Sequence, residues 1–396
     1  MKVIGFHLMP WPYLTPQDLA SNDSSWITMS NALYDPKKGH ELYETYFDQL
    51  VYYDEAGLDG VGVNEHHQTP YGLMPSANVT AAMLVPRTRG TIAVLGNAIP
   101  LHENPLRIAE EIAYLDVVSG GRIISGFVRG IGAEYHSMSM DPSVSRDRFY
   151  EAHDLIIKAW TEPGPWEWYG RHYKFRYVNP WPRPYQQPHP PIWSPSQGSS
   201  ETVEWAARNK YTYLQTFSDT KSSERIFGDV REAHERLHGV VMPELIGWSV
   251  PVYVGDTDAE ALAEAKPHME YLFNDVLRMT KDQLFPAGYL TVESTSRVMS
   301  AKAKGLGTGR KTCEDLMEAG IVIVGSTNTV RDIMVDRQKR FGFGNFSGIF
   351  HFGTLPDDLF RSSVKRFVDG VMPAIKHLGA PTGASPSASH LQEKAS

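Results

Sequence analysis

The chain carries a single cysteine, Cys313, in 396 residues. One thiol excludes an intrachain disulfide and any cysteine-based zinc or iron–sulfur centre, and it fits a reducing compartment. Basic residues are outnumbered: Lys plus Arg is 38 against 46 for Asp plus Glu, a formal charge of −8. That balance argues against a nucleic-acid backbone or an anionic membrane surface as partner. Long apolar runs are missing too. The opening MKVIGFHLMPWP is broken by prolines and is too short for a signal-peptide core or a membrane span, so a cytoplasmic protein is expected. What is present, 41% hydrophobic residues with 33 Gly and 27 Pro, is a globular composition able to fill a large core.

Short β-branched or apolar runs alternate with stretches of helical period, joined by glycine-rich junctions. This predicts βα units around a parallel sheet, not a sandwich. Eight strands are expected: Lys2 to Met9, Gly60 to His66, Thr91 to Leu101, Arg122 to Arg129, Pro191 to Ser196, Tyr211 to Phe217, Gly247 to Val254 and Gly348 to Gly353. Asn104 before Pro105 predicts an N-cap and first-turn pair, Gly120-Gly121 a stop, and Thr257 with Glu260 a capping box. The last helix should bury Phe360, Val364, Phe367, Val371, Ile375 and Leu378, which recur at helical spacing before Gly379. Eight units with no linker predict one α/β domain over residues 1–379, a closed (β/α)8 TIM barrel, with a low-complexity tail at 380–396. Three long insertions over the carboxyl ends of the strands exceed a minimal barrel: Met9 to Gly39, Pro163 to Pro191 and Gln283 to Gly309. The third, with Lys302, Lys304, Arg310 and Lys311 around it, reads equally as a solvated insertion or a closing lid.

Chemistry in such a barrel belongs at the carboxyl ends of the strands. The second strand ends in Asn64-Glu65-His66-His67, where alternation puts Glu65 and His67 on one side and His66 on the other. This is either an acid–base site or a histidine pair capping the strand; no further ligands suggest a metal. Gly96-Asn97 ends the third strand, as a close approach for a flat ligand or as a β-bulge. In Phe127-Val128-Arg129-Gly130, an arginine between small residues can fork onto a phosphate or carboxylate. After the fifth strand, Gly198, Ser199 and Thr202 precede a helix, where hydroxyls and free amides suit a phosphate or simply cap the helix. Barrels often bind phosphate later in the chain, at turns such as Gly255 to Asp258 and Gly325 to Asn328. The first of these carries two carboxylates, so charge favours the Arg129 pocket.

Over nearly its whole length, in the order and spacing of EHH, Asn104-Pro105-Leu106-Arg107-Ile108-Ala109-Glu110-Glu111, GFVRG, GSSETVEWAA and Val371-Met372-Pro373, the chain resembles the bacterial luciferase-like family of flavin-dependent monooxygenases. The resemblance implies a TIM barrel that receives reduced FMN (FMNH2) from a separate NAD(P)H-dependent flavin reductase. It implies dioxygen as co-substrate, a C4a-(hydro)peroxyflavin, and hydroxylation or Baeyer–Villiger oxygenation of an apolar small molecule by a homodimer. By position, His66 matches the active-site histidine and Glu65 its acidic neighbour. Arg129, Ser199 and Thr202 match the phosphate-holding residues, beside Gly198. Gly96-Asn97 falls where the family has a non-prolyl cis peptide beneath the flavin ring. Val128 stands where luciferase has a cysteine, a departure that removes any thiol role and with it the implication of light emission. The rival expectations are a deazaflavin-dependent dehydrogenase of the same barrel and a catalytically silent partner subunit.

Overall fold

The computed structural model describes residues 1–290 and 309–379. Eight parallel strands close on themselves: β1 (Lys2–Phe6), β2 (Gly60–Val63), β3 (Thr91–Ala98), β4 (Ile123–Val128), β7 (Ile192–Ser196), β8 (Thr212–Thr216), β9 (Ile246–Gly255) and β11 (Asn345–Ile349). Closure comes from two pairings. Tyr213 of β8 registers with Ile246 of β9, and Asn345 of β11 registers with both Gly247 and Lys2. Helices cover the outside, so the strands are buried on both faces; every residue of β9 is buried. The barrel is therefore the expected TIM barrel, with each of the eight expected strands overlapping an observed one.

The differences are local. The last strand begins at Asn345, three residues before Gly348, because polar Asn345 and Ser347 hide a strand that pairs on both sides. Three further strands lie outside the barrel. The hairpin β5 (Trp166–Tyr169) and β6 (Lys174–Val178) organises the proline-rich insertion, and β10 (Ile323–Ser326) adds to the edge of β9. Pro105, not Asn104, is the cap of α4 (Leu106–Ser119), and no side chain caps that end. The stop is as expected, with Gly120 left-handed at φ 68°. Thr257 caps α9 (Asp258–Tyr271), but the Glu260 carboxylate meets the Thr257 hydroxyl at 3.0 Å instead of closing the box on the backbone. The C-terminal stripe is buried at Phe360, Val364, Phe367, Val371 and Ile375, across a π-helical turn at Phe367–Val371.

The Met9–Gly39 insertion is folded, not loose. Trp26 is 0% exposed and its indole Nε1 donates to the Val276 carbonyl at 3.1 Å, while the Ser25 hydroxyl donates to the Asp275 carbonyl at 2.6 Å. The insertion is thereby tied to the π-helical turn Leu272–Val276, whose Asp275 also takes both guanidinium nitrogens of Arg310 at 2.7 and 3.0 Å. Lys302 and Lys304 of the expected lid, and the tail at 380–396, lie outside the described residues.

Candidate active site

β2 stops at Val63, and Asn64 to His67 run on as the loop that carries the site. The alternation argument holds in outcome: Glu65 and His67 meet at 3.1 Å, and His66 turns to another partner. That partner is a carboxylate further along the chain. His66 Nδ1 lies 2.8 Å from Glu134 Oε1, while Glu65 is engaged by His67 and, at 3.5 Å, by His102. Glu134 sits on α5 (Gly132–Ser137), just past β4, and its second oxygen accepts from the Ile131 amide at 2.9 Å. Both carboxylate oxygens thus act as acceptors in a group only 2% exposed. Glu134 follows Arg129 closely in the sequence, in the stretch Arg129-Gly130-Ile131-Gly132-Ala133-Glu134, but only the tertiary fold brings it to the histidine.

Burial would raise the Glu65 carboxyl, yet hydrogen bonds from His102 and His67 outweigh it and pull the value down to about 2. Burial lowers His67, but the Glu65 bond and charge prevail and leave it raised. Glu65 is therefore the centre of an ion cluster with His67 and His102, distinct from the His66–Glu134 pair.

His66 opens onto a cavity of about 730 Å³. It is lined by Trp11, Leu14, Leu33, Tyr34 and Tyr43 from the first insertion and the helix after it, and by the polar side chains of Thr28, Asn31, Gln68 and Thr69. Among the described residues, no Asp, Glu, Lys or Arg side chain lines it. Trp26 and Tyr71 pack edge-on against His66 at 5.4 and 5.0 Å between ring centres and fix its plane.

At the end of β3 the register slips between Val94 and Asn97, so the β-bulge alternative is the observed one. The cis peptides among the described residues are three X–Pro bonds, so the cis Gly96-Asn97 peptide implied by the resemblance is absent; the bulge accommodates the irregularity. Gly96 is needed for strand packing: a Cβ there would come within 2.9 Å of Val128 Cγ1 and 3.1 Å of the Gly126 carbonyl. Its missing side chain makes room for β4 and not for a ligand. Asn97 is 1% exposed, and neither its amide nitrogen nor its oxygen has a hydrogen-bond partner. These two unpaired buried polar atoms, near the carboxyl end of β3, could be satisfied by a polar ligand edge.

Val128 packs with Ala98, Leu101 and Tyr135 in a small apolar cluster. Arg129 donates to the Ser145 hydroxyl at 3.2 Å and to the Tyr289 carbonyl at 2.7 Å, and its guanidinium lies 3.9 Å from the Tyr289 ring centre. Tyr289 closes back through its own hydroxyl onto the Gly130 carbonyl at 2.6 Å. The start of the third insertion thus folds over the arginine, which the sequence reading did not foresee. Ser145 begins α6 (Ser145–Thr161), and the next residue, Arg146, reaches Glu201 at 3.5 Å. Glu201 in turn takes the Ser199 hydroxyl at 2.7 Å, and Ser199 caps α7 (Ser200–Asn209) by accepting from the Thr202 amide. Gly198 is left-handed at φ 101°, where a Cβ would strike Ile226 at 2.4 Å. Arg129 and the Gly198–Thr202 turn, both anticipated, are therefore linked through Ser145, Arg146 and Glu201, which were not. The alternative turn at Gly325–Asn328 is filled by the Asp258 carboxylate, which accepts from the Ser326 amide at 2.6 Å and the Thr329 hydroxyl at 3.0 Å.

A profile of the luciferase-like monooxygenases matches residues 26–343. The chain belongs to the luciferase-like monooxygenase family. It is 26% identical over 245 residues to the oxygenase component of a flavin-dependent trigonelline monooxygenase from Acinetobacter baylyi, covering 61% of this chain and 67% of that one. It is 30% identical over 190 residues to an alkanal monooxygenase alpha chain from Photorhabdus luminescens, covering 46% and 51%. The matches thus span about half to two thirds of these relatives' lengths. Among solved structures, the monooxygenase RslO1 from Streptomyces bottropensis superposes with TM-score 0.71 at 21% identity, covering 94% of this chain and 99% of that one. An F420-dependent secondary alcohol dehydrogenase superposes with TM-score 0.63 at 15% identity, covering 94% and 98%. At such identities the likeness establishes the shared barrel alone.

No helix among the described residues is long and apolar enough to cross a membrane. No group of three or more His, Cys, Asp or Glu among them is arranged to hold a metal ion.

Proposed function

We propose that this protein is the oxygenase of a two-component system, taking FMNH2 from a separate NAD(P)H-dependent flavin reductase and using dioxygen to oxygenate an apolar small molecule. The observation that carries the reading is His66, held by buried Glu134 and opening onto a cavity that no Asp, Glu, Lys or Arg among the described residues lines. The residues present fit FMN: Arg129 and the Ser199–Thr202 turn would hold its phosphate, and the unpaired atoms of Asn97 would meet a polar edge of its ring. When bound, the reduced flavin supplies the electrons that activate dioxygen.

The chain's own residues do the rest. Glu134 accepts a hydrogen bond from His66 Nδ1–H, which leaves Nε2 as the ring nitrogen able to accept or return a proton at the reacting oxygen. Trp11, Tyr34 and Tyr43 keep water from the substrate and from the activated oxygen. A neutral cavity of this size admits an aldehyde, a ketone or a larger terpene- or polyketide-like molecule. Proton return favours hydroxylation; proton retention favours Baeyer–Villiger insertion. A cytoplasmic homodimer completes the proposal. Exposed Val79 and Met83 on α3 (Ala77–Leu84), with Tyr114, Val117 and Val118 on neighbouring α4, offer apolar area for a second copy.

The test is oxygen uptake with chemically reduced FMN and a neutral aldehyde or ketone, run beside reduced deazaflavin. Uptake and an oxygenated product with FMN are expected. Hydride transfer from the deazaflavin without oxygen consumption would replace this reading by the dehydrogenase alternative, whose fold neighbours include F420-dependent enzymes.

A further inference from the structure

We propose that Glu201 is an internal anion that competes with the cofactor phosphate for the Ser199–Thr202 turn, and so sets how tightly this chain holds a phosphate-bearing flavin. This rests on the phosphate site proposed above. Glu201 is the second residue of α7, where the amide dipoles favour negative charge. Its carboxylate already occupies the groups a phosphate would use: the Ser199 hydroxyl at 2.7 Å, the Ser200 hydroxyl at 3.4 Å, and Arg146 at 3.5 Å. Burial opposes its charge, but the Ser199 bond, its own amide and Arg146 prevail and hold the carboxyl below its ordinary value, as expected of a side chain settled in an anion-binding turn. The carboxylate of Asp258 fills the Gly325–Asn328 turn by the same device.

A phosphate entering the Ser199 turn brings between one and two negative charges against this carboxylate. Either Glu201 swings out and gives up its bonds to Ser199 and Arg146, or the two anions share one turn and repel. Both outcomes weaken binding of FMN and neither touches riboflavin, which lacks the phosphate. For a protein supplied by a separate reductase, this keeps the cofactor exchangeable. Glu201 is about a third exposed and sits at a helix start, so its replacement leaves the fold intact.

The test is equilibrium titration of FMN and riboflavin, by flavin fluorescence, against wild-type protein, Glu201→Gln, Glu201→Ala and Arg129→Ala. Removal of one repelling charge at contact distance near the surface is expected to tighten FMN about tenfold in Glu201→Gln and leave riboflavin unchanged. If Glu201→Gln binds FMN no tighter while Arg129→Ala binds it more weakly, the competition is overturned and the phosphate site stands. If Glu201→Ala tightens FMN but Glu201→Gln does not, the bond to Ser199 matters and the charge argument is overturned. If Arg129→Ala also leaves FMN affinity unchanged, the phosphate site and the competition both fall.

Discussion

Replacing Glu134 by Gln preserves its shape and reverses the direction of one hydrogen bond. In the wild-type site Oε1 accepts from His66 Nδ1 at 2.8 Å and Oε2 accepts from the Ile131 amide at 2.9 Å. Glutamine has one acceptor and one donating end. Its oxygen stays on the Ile131 amide, so its NH2 faces His66 and makes Nδ1 an acceptor, which moves the ring proton to Nε2. The atom proposed to take a proton then carries one. A charge-assisted bond worth about 1.5–3 kcal/mol is exchanged for a neutral one worth about 1, a net loss of about 0.5–2 kcal/mol in stability. Loss of proton transfer should lower kcat about 10²- to 10⁴-fold with little change in KM. Urea unfolding gives the first quantity, and steady-state turnover of a substrate accepted by the wild-type protein gives the second. Because Glu134 acts through His66, the double variant with His66→Ala should be no slower than His66→Ala alone. Wild-type turnover in Glu134→Gln, or multiplicative losses in the double variant, would refute the pairing.

Three other outcomes follow from the same geometry. Arg129→Ala should weaken FMN by about 2 kcal/mol, the scale of a charge-assisted bond, as read by fluorescence titration; unchanged affinity removes Arg129 from the phosphate site. Trp26→Ala empties a fully buried site and orphans the Val276 carbonyl, and should cost about 3–5 kcal/mol with an unaltered denaturant slope; a loss below about 1 kcal/mol would mean the first insertion is not locked down. Glu65→Gln should be most destabilising between roughly pH 4.5 and 6.5, checked by thermal melts across pH. The depressed Glu65 value gives stability present above 4.5 and lost as pH falls toward about 2. The raised His67 value gives stability present below 6.5 and lost as pH rises through it. A pH-independent difference would show that the cluster carries no charge linkage.

The barrel was legible because its rules are local and repeated. Alternating β-branched runs, Gly120 as a helix stop and the Phe360-to-Ile375 stripe each express a period that needs no knowledge of distant residues. The strand ends bearing His66, Asn97, Arg129 and Ser199 followed from that order, since the fold puts carboxyl ends on one face. Partnership was not legible in the same way. His66 has Glu65 beside it in sequence, yet pairs with Glu134, 68 positions away, because Glu65 is turned to the opposite side and drawn to His67 and His102. Gly96 is written like a ligand approach, but only the neighbouring β4 reveals that the space is for Val128 and Gly126. Tyr289 over Arg129, and Arg146 beside Glu201, likewise arise from segments that meet only in the folded chain. Periodicity thus determined the architecture and the face that holds the chemistry. Packing and charge between remote segments decided which side chains work together, because hydrogen bonds are chosen by distance in space and not along the chain.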